Sequence, residues 1–319
     1  MMVATTVTTD LEVAVEALRR GLLVAFPTET VYGLGADAAN GAAVTRIFEA
    51  KGRPAGHPLI VHLASAAQVP EWADLDAEQA VTVGRLADAF WPGPLTVVVP
   101  RSPRAAPETV GGRHTVGLRV PDHPVALALL EAFGGGVAAP SANRFGRVSP
   151  TTAAHVLHDL EGIVDVVLDG GPTEVGVEST IVEVVSGEPV LLRPGAVTVG
   201  QLEQVLGRPV ADARHTTARA PGMLRSHYAP DAAVELVTSD EVTTGDLGPG
   251  VGVIAPHEVE HRPSWRLPAD ADGYARALYA TLRAADAAGV MRLLIVPPAA
   301  GRLLDAVLDR LAKASASRS

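Results

Sequence analysis

Only two of the 26 basic side chains are lysines: Lys51, inside IFEAKGRPAGHPLIVHL (residues 47–63), and Lys313 near the end of the chain. All the others are arginine. A compact ammonium on a flexible stem offers a mobile point charge that a planar guanidinium fork does not. A lone lysine at a helix end is ordinarily a solvated charge, so its neighbours decide its meaning. Arg53, His57 and His62 share the segment. In a strand over 59–63, alternation sets Ile60 and His62 on one face and Leu59, Val61 and Leu63 on the other.

Further chemistry-bearing residues recur in short segments downstream and upstream. FPTETVYGLGADA carries the hydroxyls of Thr28 and Thr30 with Tyr32, and HTVGLRVPDHP carries Thr115 and Arg119. AAPSANRFGRVSP holds Ser141, Asn143 and Ser149; GVESTIVEV holds Ser179 and Thr180; LLRPGAV holds Arg193. Each lies beside Gly or Pro at a strand edge or helix start, where hydroxyls and backbone N–H groups can converge on phosphate or carboxylate oxygens. By itself Ser149, before Pro150, reads as a helix-start residue. Together the segments imply an anion site. Residues 101–150 support this with six arginines (101, 104, 113, 119, 144, 147) against Glu108, Asp122 and Glu131.

Two other patterns suggest different chemistry. GLGADA, residues 33–38, matches the dinucleotide-binding spacing, but the strand pattern LLVAF ends at Phe26 with PTETVY intervening, and Glu49 falls in a helical pattern where a strand-end acid is needed. HEVEH, residues 257–261, matches the zinc-protease spacing, yet Pro256 and Pro263 bracket a window too short for the helix that spacing requires. It reads as a solvated loop. The chain contains no P-loop pattern.

The elements that must position the first set follow from periodicity. LLVAF, PLIVHL, LTVVV, VGLRV, VDVVL, TIVEVV and PVLLR read as strands, and helical patterns cover 10–20, 41–50, 76–90, 124–133 and 151–160. This predicts an α/β domain with a large twisted sheet over roughly the first 200 residues. Residues 207–231 follow neither period and read as a linker or lid. Beyond them AVELV, VGVIA and RLLIV with helices at 271–289 and 300–313 predict a second, small α/β domain.

Composition narrows the function. A 47% hydrophobic content with only 4% aromatic residues describes an aliphatic core suited to a sheet flanked by helices. With no cysteine, disulfides, thiolate metal sites and cysteine nucleophiles are excluded. A net charge of −10 argues against a broad basic face for nucleic acid. The N-terminus lacks a leader pattern, and no apolar run reaches the roughly 18 residues of a membrane span. The expectation is a cytoplasmic protein with no membrane partner.

PTETVYGLG, KGRP…HPLIVH, WPGPLT, VGLRVP, APSAN…G…SPT, ESTIV and LRPG occur in the order seen in the YrdC-like threonylcarbamoyl-AMP synthases, which the chain resembles over about residues 10–205. APGMLRSHYAPDA resembles the linker of their two-domain members. The resemblance implies a catalytic domain over 1–206 with a twisted mixed sheet around a concave, cationic cavity, a lid over 207–231, and a small Rossmann-like α/β domain over 232–319. The implied reaction joins L-threonine, bicarbonate and ATP into threonylcarbamoyl-adenylate, pyrophosphate and water. A separate transferase complex then uses the product to form N6-threonylcarbamoyladenosine in tRNA, with no stable tRNA binding here.

The family signature K-x-R…S-x-N falls on Lys51, Arg53, Ser141 and Asn143, which are implied to be catalytic. By the same resemblance Thr30, His62, Arg119, the backbone at Ala139, and Ser179 surround threonine, Arg119 facing its carboxylate. Arg53, His57, Thr115, Ser141, Ser149, Arg193 and Tyr228 line the ATP side. Mg²⁺ arrives on the ATP phosphates, with no residue directly predicted as its ligand and Asn143 as a direct or indirect helper. On this view Lys51 is a mobile ammonium reaching phosphate or carbamate oxygens. Family linkers often read MKYRHYAP where this chain has MLRSHYAP, which shifts the basic charge of the lid to Arg225. Alternatives are a carbamoyl-adenylating enzyme, disfavoured by the absence of cysteine, and an RNA-binding module.

Overall fold

The computed structural model describes residues 4–185, 187–212, 228–243 and 247–316. Their contacts divide them into two units: one of residues 4–145, 150–173 and 178–212, the other of residues 146–149, 174–177 and 228–316 apart from 244–246.

In the first unit the chain runs β1 (Thr6–Thr8), α1 (Leu11–Arg19), β2 (Val24–Phe26), β3 (Gly33–Asp37), α2 (Gly41–Lys51), β4 (Ile60–His62), α3 (Val69–Trp72), α4 (Ala77–Phe90), β5 (Leu95–Pro100), β6 (Thr115–Arg119), α5 (Pro124–Phe133) and β7 (Val137–Ala138). It continues through α6 (Ala153–Leu160), β8 (Val166–Leu168), β9 (Thr180–Glu183), β10 (Val190–Arg193), α7 (Val199–Leu206) and β11 (Ala211–Asp212). Among the described residues these strands form one mixed sheet in the order β1-β8-β2-β3-β7-β4-β6-β5-β9-β10-β11. The runs read as strands from the sequence are all strands. The sequence pattern missed β1, β3 and the two-residue β7 and β11, which are too short or too glycine-rich to alternate. Strand β11 falls within 207–231, read as a linker, and pairs with β10, while 213–227 of that stretch lie outside the described residues.

Helix limits follow local chemistry. Asn40 caps α2 through its side-chain oxygen to the Ala42 and Ala43 N–H groups, and Gly52 ends the helix at φ 62°. Asp76 with Gln79, and Thr198 with Gln201, form reciprocal capping boxes at the starts of α4 and α7. On one side of the sheet α2, α3, α4, α6 and α7 bury Val44, Ile47, Trp72, Leu86, Val156 and Leu202 against Val61, Val97 and Leu118. On the other side α1 and α5 bury Leu18 and Leu129 against Val24, Phe26 and Val137.

GLGADA is the strand β3, antiparallel to β2. Its glycines serve packing: a Cβ on Gly35 would lie 2.8 Å from Val137 Cγ1 and 2.9 Å from the Phe26 ring. That accounts for a dinucleotide-like spacing with no phosphate turn. In the second unit β12 (Ala233–Leu236), α8 (Ser239–Thr243), β13 (Val251–Ala255), β14 (Ser264–Arg266), α9 (Ala271–Ala287), β15 (Arg292–Ile295) and α10 (Leu304–Ser315) build an all-parallel sheet ordered β12-β15-β13-β14. HEVEH lies in the loop between β13 and β14, where the His261 Nε2–H donates to the Val251 carbonyl at 2.8 Å.

Substituting Gly35→Ala forces a methyl into the Phe26–Val137 contact. A loss of about 1–3 kcal/mol is expected, read as a lower urea midpoint with an unchanged m-value.

Candidate active site

Lys51 belongs to the apolar stripe of α2. Its buried positions Val44, Ile47, Phe48 and Lys51 recur at helical spacing, so the last of them faces inward. Lys51 is only 3% exposed. Its Nζ donates to the Ser141 carbonyl at 2.6 Å and the Asn143 carbonyl at 2.5 Å, with Asn143 Oδ1 at 3.5 Å. Burial, helped by the Arg53 charge, pushes its ammonium well below the ordinary lysine value, and Asp159 opposes this. The expected mobile lysine is therefore a clamped one, because a buried ammonium must satisfy its donors within the protein.

Gly52 reverses the chain in a left-handed turn that sends Lys51 and Arg53 in different directions, with the Arg53 N–H bonded to the Phe48 carbonyl at 2.9 Å. Arg53 donates to the Pro58 carbonyl at 3.2 Å and sits 5.8 Å from the Phe145 ring centroid. His57 meets the same ring edge-on at 5.6 Å. Burial, then Arg53 and Arg113, lower the His57 pKa. The loop bearing Ser141 and Asn143 is tied down from both sides. Phe145 N–H bonds the Lys51 carbonyl, Arg144 bonds the Ala50 carbonyl, and Ala142 N–H bonds the Tyr32 carbonyl. Ala139 N–H is taken by the Ile60 carbonyl, which joins this loop to β4.

The sheet arranges the second group. Register pairs Ile60 with Gly117 and His62 with Arg119, while Gly117 faces Val98 across β5. Thr115 and Arg119 therefore share the face of His62, about 13 Å apart along β6. His62 is buried, edge-on to Phe26 at 5.8 Å, and burial with the Arg119 charge lowers its pKa to about 3. Arg119 donates to Thr30 Oγ1 at 3.0 Å and to the Gly93 carbonyl at 3.3 Å. Its Nη2 also lies 2.7 Å from Glu29 Oε2, in an ion pair whose side chains are 5% and 6% exposed. Thr28 and Thr30 hydroxyls are 2.8 Å apart.

A bulge brings in the last group. Leu191 pairs with Val182, but the register then shifts so that Arg193 opposes Ile181. Arg193 consequently donates to the Ser179 hydroxyl at 3.1 Å and the Ser179 carbonyl at 3.0 Å, and the same hydroxyl is 2.8 Å from Thr96.

Lys51, Arg53, His57, Ser141, Asn143 and Ala139 are thus linked through one loop, Thr30, His62 and Arg119 through β4 and β6, and Ser179 with Arg193 through β9 and β10. Ser149 and Tyr228 belong to the second unit. There Tyr228 holds φ 60°, stacks on Tyr279 at 5.9 Å and lies 5.3 Å from the Arg310 guanidinium carbon. Arg225 falls outside the described residues. Glu29 escaped the reading of PTET, although an acid between two hydroxyls at a strand end was its signal. Among the described residues no three His, Asp or Glu side chains converge into a metal site, HEVEH included.

A mixed-sheet α/β unit that buries arginines, a lysine and hydroxyls along strand ends defines a class of protein carrying the donors that recognise oxyanions. Comparison with known proteins gives the family. Residues 16–195 match the Sua5, YciO and YrdC family described as "Telomere recombination", and residues 197–316 match the family "Threonylcarbamoyl-AMP synthase, C-terminal domain". The threonylcarbamoyl-AMP synthase of Pyrococcus abyssi is 42% identical over 97% of this chain and 94% of its own. The Bacillus subtilis threonylcarbamoyl-AMP synthase is 48% identical over 72% of this chain and 67% of its own. The crystal structure of Pyrococcus abyssi Sua5 complexed with L-threonine superposes with a TM-score of 0.86 at 39% identity, covering 99% of this chain and 98% of that one. The chain belongs to the two-domain threonylcarbamoyl-AMP synthase family.

His62 is neutral when folded, whereas an unfolded histidine binds a proton below about pH 6.5. Its contribution to stability is full above pH 6.5 and is lost as pH falls toward 3. Denaturant unfolding at pH 7.0 and 4.5 should show the native chain losing about 2 kcal/mol more than His62→Gln.

Proposed function

We propose that this chain catalyses formation of L-threonylcarbamoyl-adenylate from L-threonine, bicarbonate and ATP, with release of pyrophosphate and water. The observation that carries this is 42% identity with the Pyrococcus abyssi threonylcarbamoyl-AMP synthase over 97% of this chain. The chemistry has two parts. Threonine's nitrogen and bicarbonate form a carbamate, and a carbamate oxygen attacks the α-phosphorus of ATP while the bond to pyrophosphate breaks. Such a reaction needs positioning and charge neutralisation more than a strong base.

In the first unit Arg53, His57, Thr115, Ser141 and Arg193 are assigned to ATP; Thr30, His62, Arg119, Ser179 and the Ala139 backbone to threonine. The buried arginines are assigned as the cationic wall of a concave site. Lys51 is assigned a positioning role: its grip on the Ser141 and Asn143 carbonyls fixes the loop that meets the phosphates. Mg²⁺ supplies charge neutralisation when it arrives with ATP. Asn143 Oδ1 lies 3.5 Å from the Lys51 Nζ, so Asn143 would assist a Mg²⁺ ion brought in by ATP indirectly rather than as a ligand. The all-parallel second unit is taken as Rossmann-like. No helix among the described residues is long and apolar enough to cross a membrane. The site of action is assigned to the cytoplasm, and the product to a separate tRNA-modifying transferase, without stable tRNA binding here.

Pyrophosphate release should require L-threonine and bicarbonate together and fail with D-threonine. Release indifferent to threonine would defeat the proposal. Arg53→Ala should lower kcat/KM on the order of 10²-fold. Lys51→Ala should do the same and also lower stability by about 1–3 kcal/mol, since it strands buried carbonyls.

The lowered pKa of His57 keeps its ring neutral at pH 7 to 8, so added positive charge near ATP arrives only below pH 6.5. ATP should therefore bind more tightly at pH 5.5 than at pH 8 in the native chain relative to His57→Asn, as measured by calorimetry. Parallel pH curves for the two would remove His57 from the nucleotide side.

A further inference from the structure

We infer that Glu29 recognises the amine of the amino-acid substrate and, with Arg119, forms a two-ended receptor for a zwitterion; this rests on the threonine-using function above. Glu29 lies in the PTET turn between β2 and β3 and is 5% exposed. An ionised carboxylate so far from water is costly unless its oxygens are engaged. Among the described residues its charged partner is Arg119, whose Nη2 is 2.7 Å from Oε2. Neither carboxylate oxygen has a well-aligned hydrogen bond among the described residues, although a carboxylate has about four acceptor positions.

The surrounding donors point elsewhere. The Thr28 hydroxyl donates to the Val31 carbonyl at 2.7 Å, and the Thr30 hydroxyl accepts from Arg119. On the arginine side, Nε is directed to Gly93 and Nη2 to Thr30 and Glu29, while Nη1 has no acceptor among the described residues. Unused acceptors on Glu29 therefore stand beside an unused donor on Arg119. An α-amino acid carries an ammonium and a carboxylate on one carbon, the complement of this pair. Arginine–carboxylate pairs frequently lie fork to fork in bidentate contact, whereas here one nitrogen meets one oxygen.

The same carboxylate answers a proton requirement. When an ammonium and bicarbonate combine, an N–C bond forms and the C–OH bond of bicarbonate breaks. Of the two protons lost from nitrogen, one leaves in water with that hydroxide. The other is taken by the Glu29 carboxylate, which later returns it to solvent. Charge and atoms balance, and no other reactant is needed.

The test measures calorimetric binding of L-threonine and of 3-hydroxybutanoate, which is threonine without its amine, to the full chain with Glu29 intact, Glu29→Gln and Glu29→Asp. Glu29→Gln should weaken L-threonine by about 30-fold, the loss of one charge-assisted hydrogen bond. It should leave 3-hydroxybutanoate unchanged or tighter, and Glu29→Asp should restore part of the preference. Equal tightening of both ligands in Glu29→Gln would mean that Glu29 only neutralises Arg119, and would overturn the inference. ATP binding and thermal unfolding report whether the variant is folded. If it is not, near-equal affinities of the native chain for the two ligands overturn the inference just as well. A native chain that binds ATP but no L-threonine instead defeats the proposed function, and this inference with it.

Discussion

The Lys51 ammonium, buried and held by the Ser141 and Asn143 oxygens, is the contact on which the cationic end of the site depends. It closes α2 onto the loop after β7, and the same loop is bonded to the Lys51 and Ala50 carbonyls through Phe145 and Arg144. A buried charge of this kind contributes little net stability against an apolar alternative, but removing one partner leaves the others stranded. Its value is in fixing one geometry. Arg53 and His57 then have a defined surface to pack on, the Phe145 ring.

Around that clamp the sheet acts as a ruler. Parallel pairing of β4 with β6 sets His62 beside Arg119, and antiparallel pairing of β5 with β6 continues the face toward Thr96 and Ser179. The bulge in β10 adds Arg193 to this face. Some charge is paired as it is buried: Arg119 has Glu29, and Asp165 has Arg46 at 2.9 Å. Lys51, Arg53 and Arg193 instead give donors to carbonyl oxygens, and His62 is kept neutral.

Two patterns in the chain imitate other chemistries for packing reasons. Gly33 and Gly35 alternate along β3 on a face where Phe26 and Val137 leave no room for a side chain at Gly35 and Ala139 with Phe26 crowds Gly33. His257 and His261 occur at zinc-protease spacing in a proline-bracketed loop, where one ring bonds a backbone carbonyl. Spacing along the chain becomes a site only when an element projects the residues together.

By itself the sequence determined the strands and helices with strong periodicity, the two sheets' approximate extents, and the ordered segments that carry the family resemblance. Those features depend on neighbours within a few residues, where period and turn chemistry operate. Helical spacing even contained the burial of Lys51, since it extends the stripe of Val44, Ile47 and Phe48. What that lysine binds was decided only by tertiary structure, because Ser141 and Asn143 lie some 90 residues away. The same holds for the Glu29–Arg119 pair and for the β10 register. An ion pair between remote segments and a one-residue bulge leave no periodic trace, and become visible only when the sheet brings their partners together.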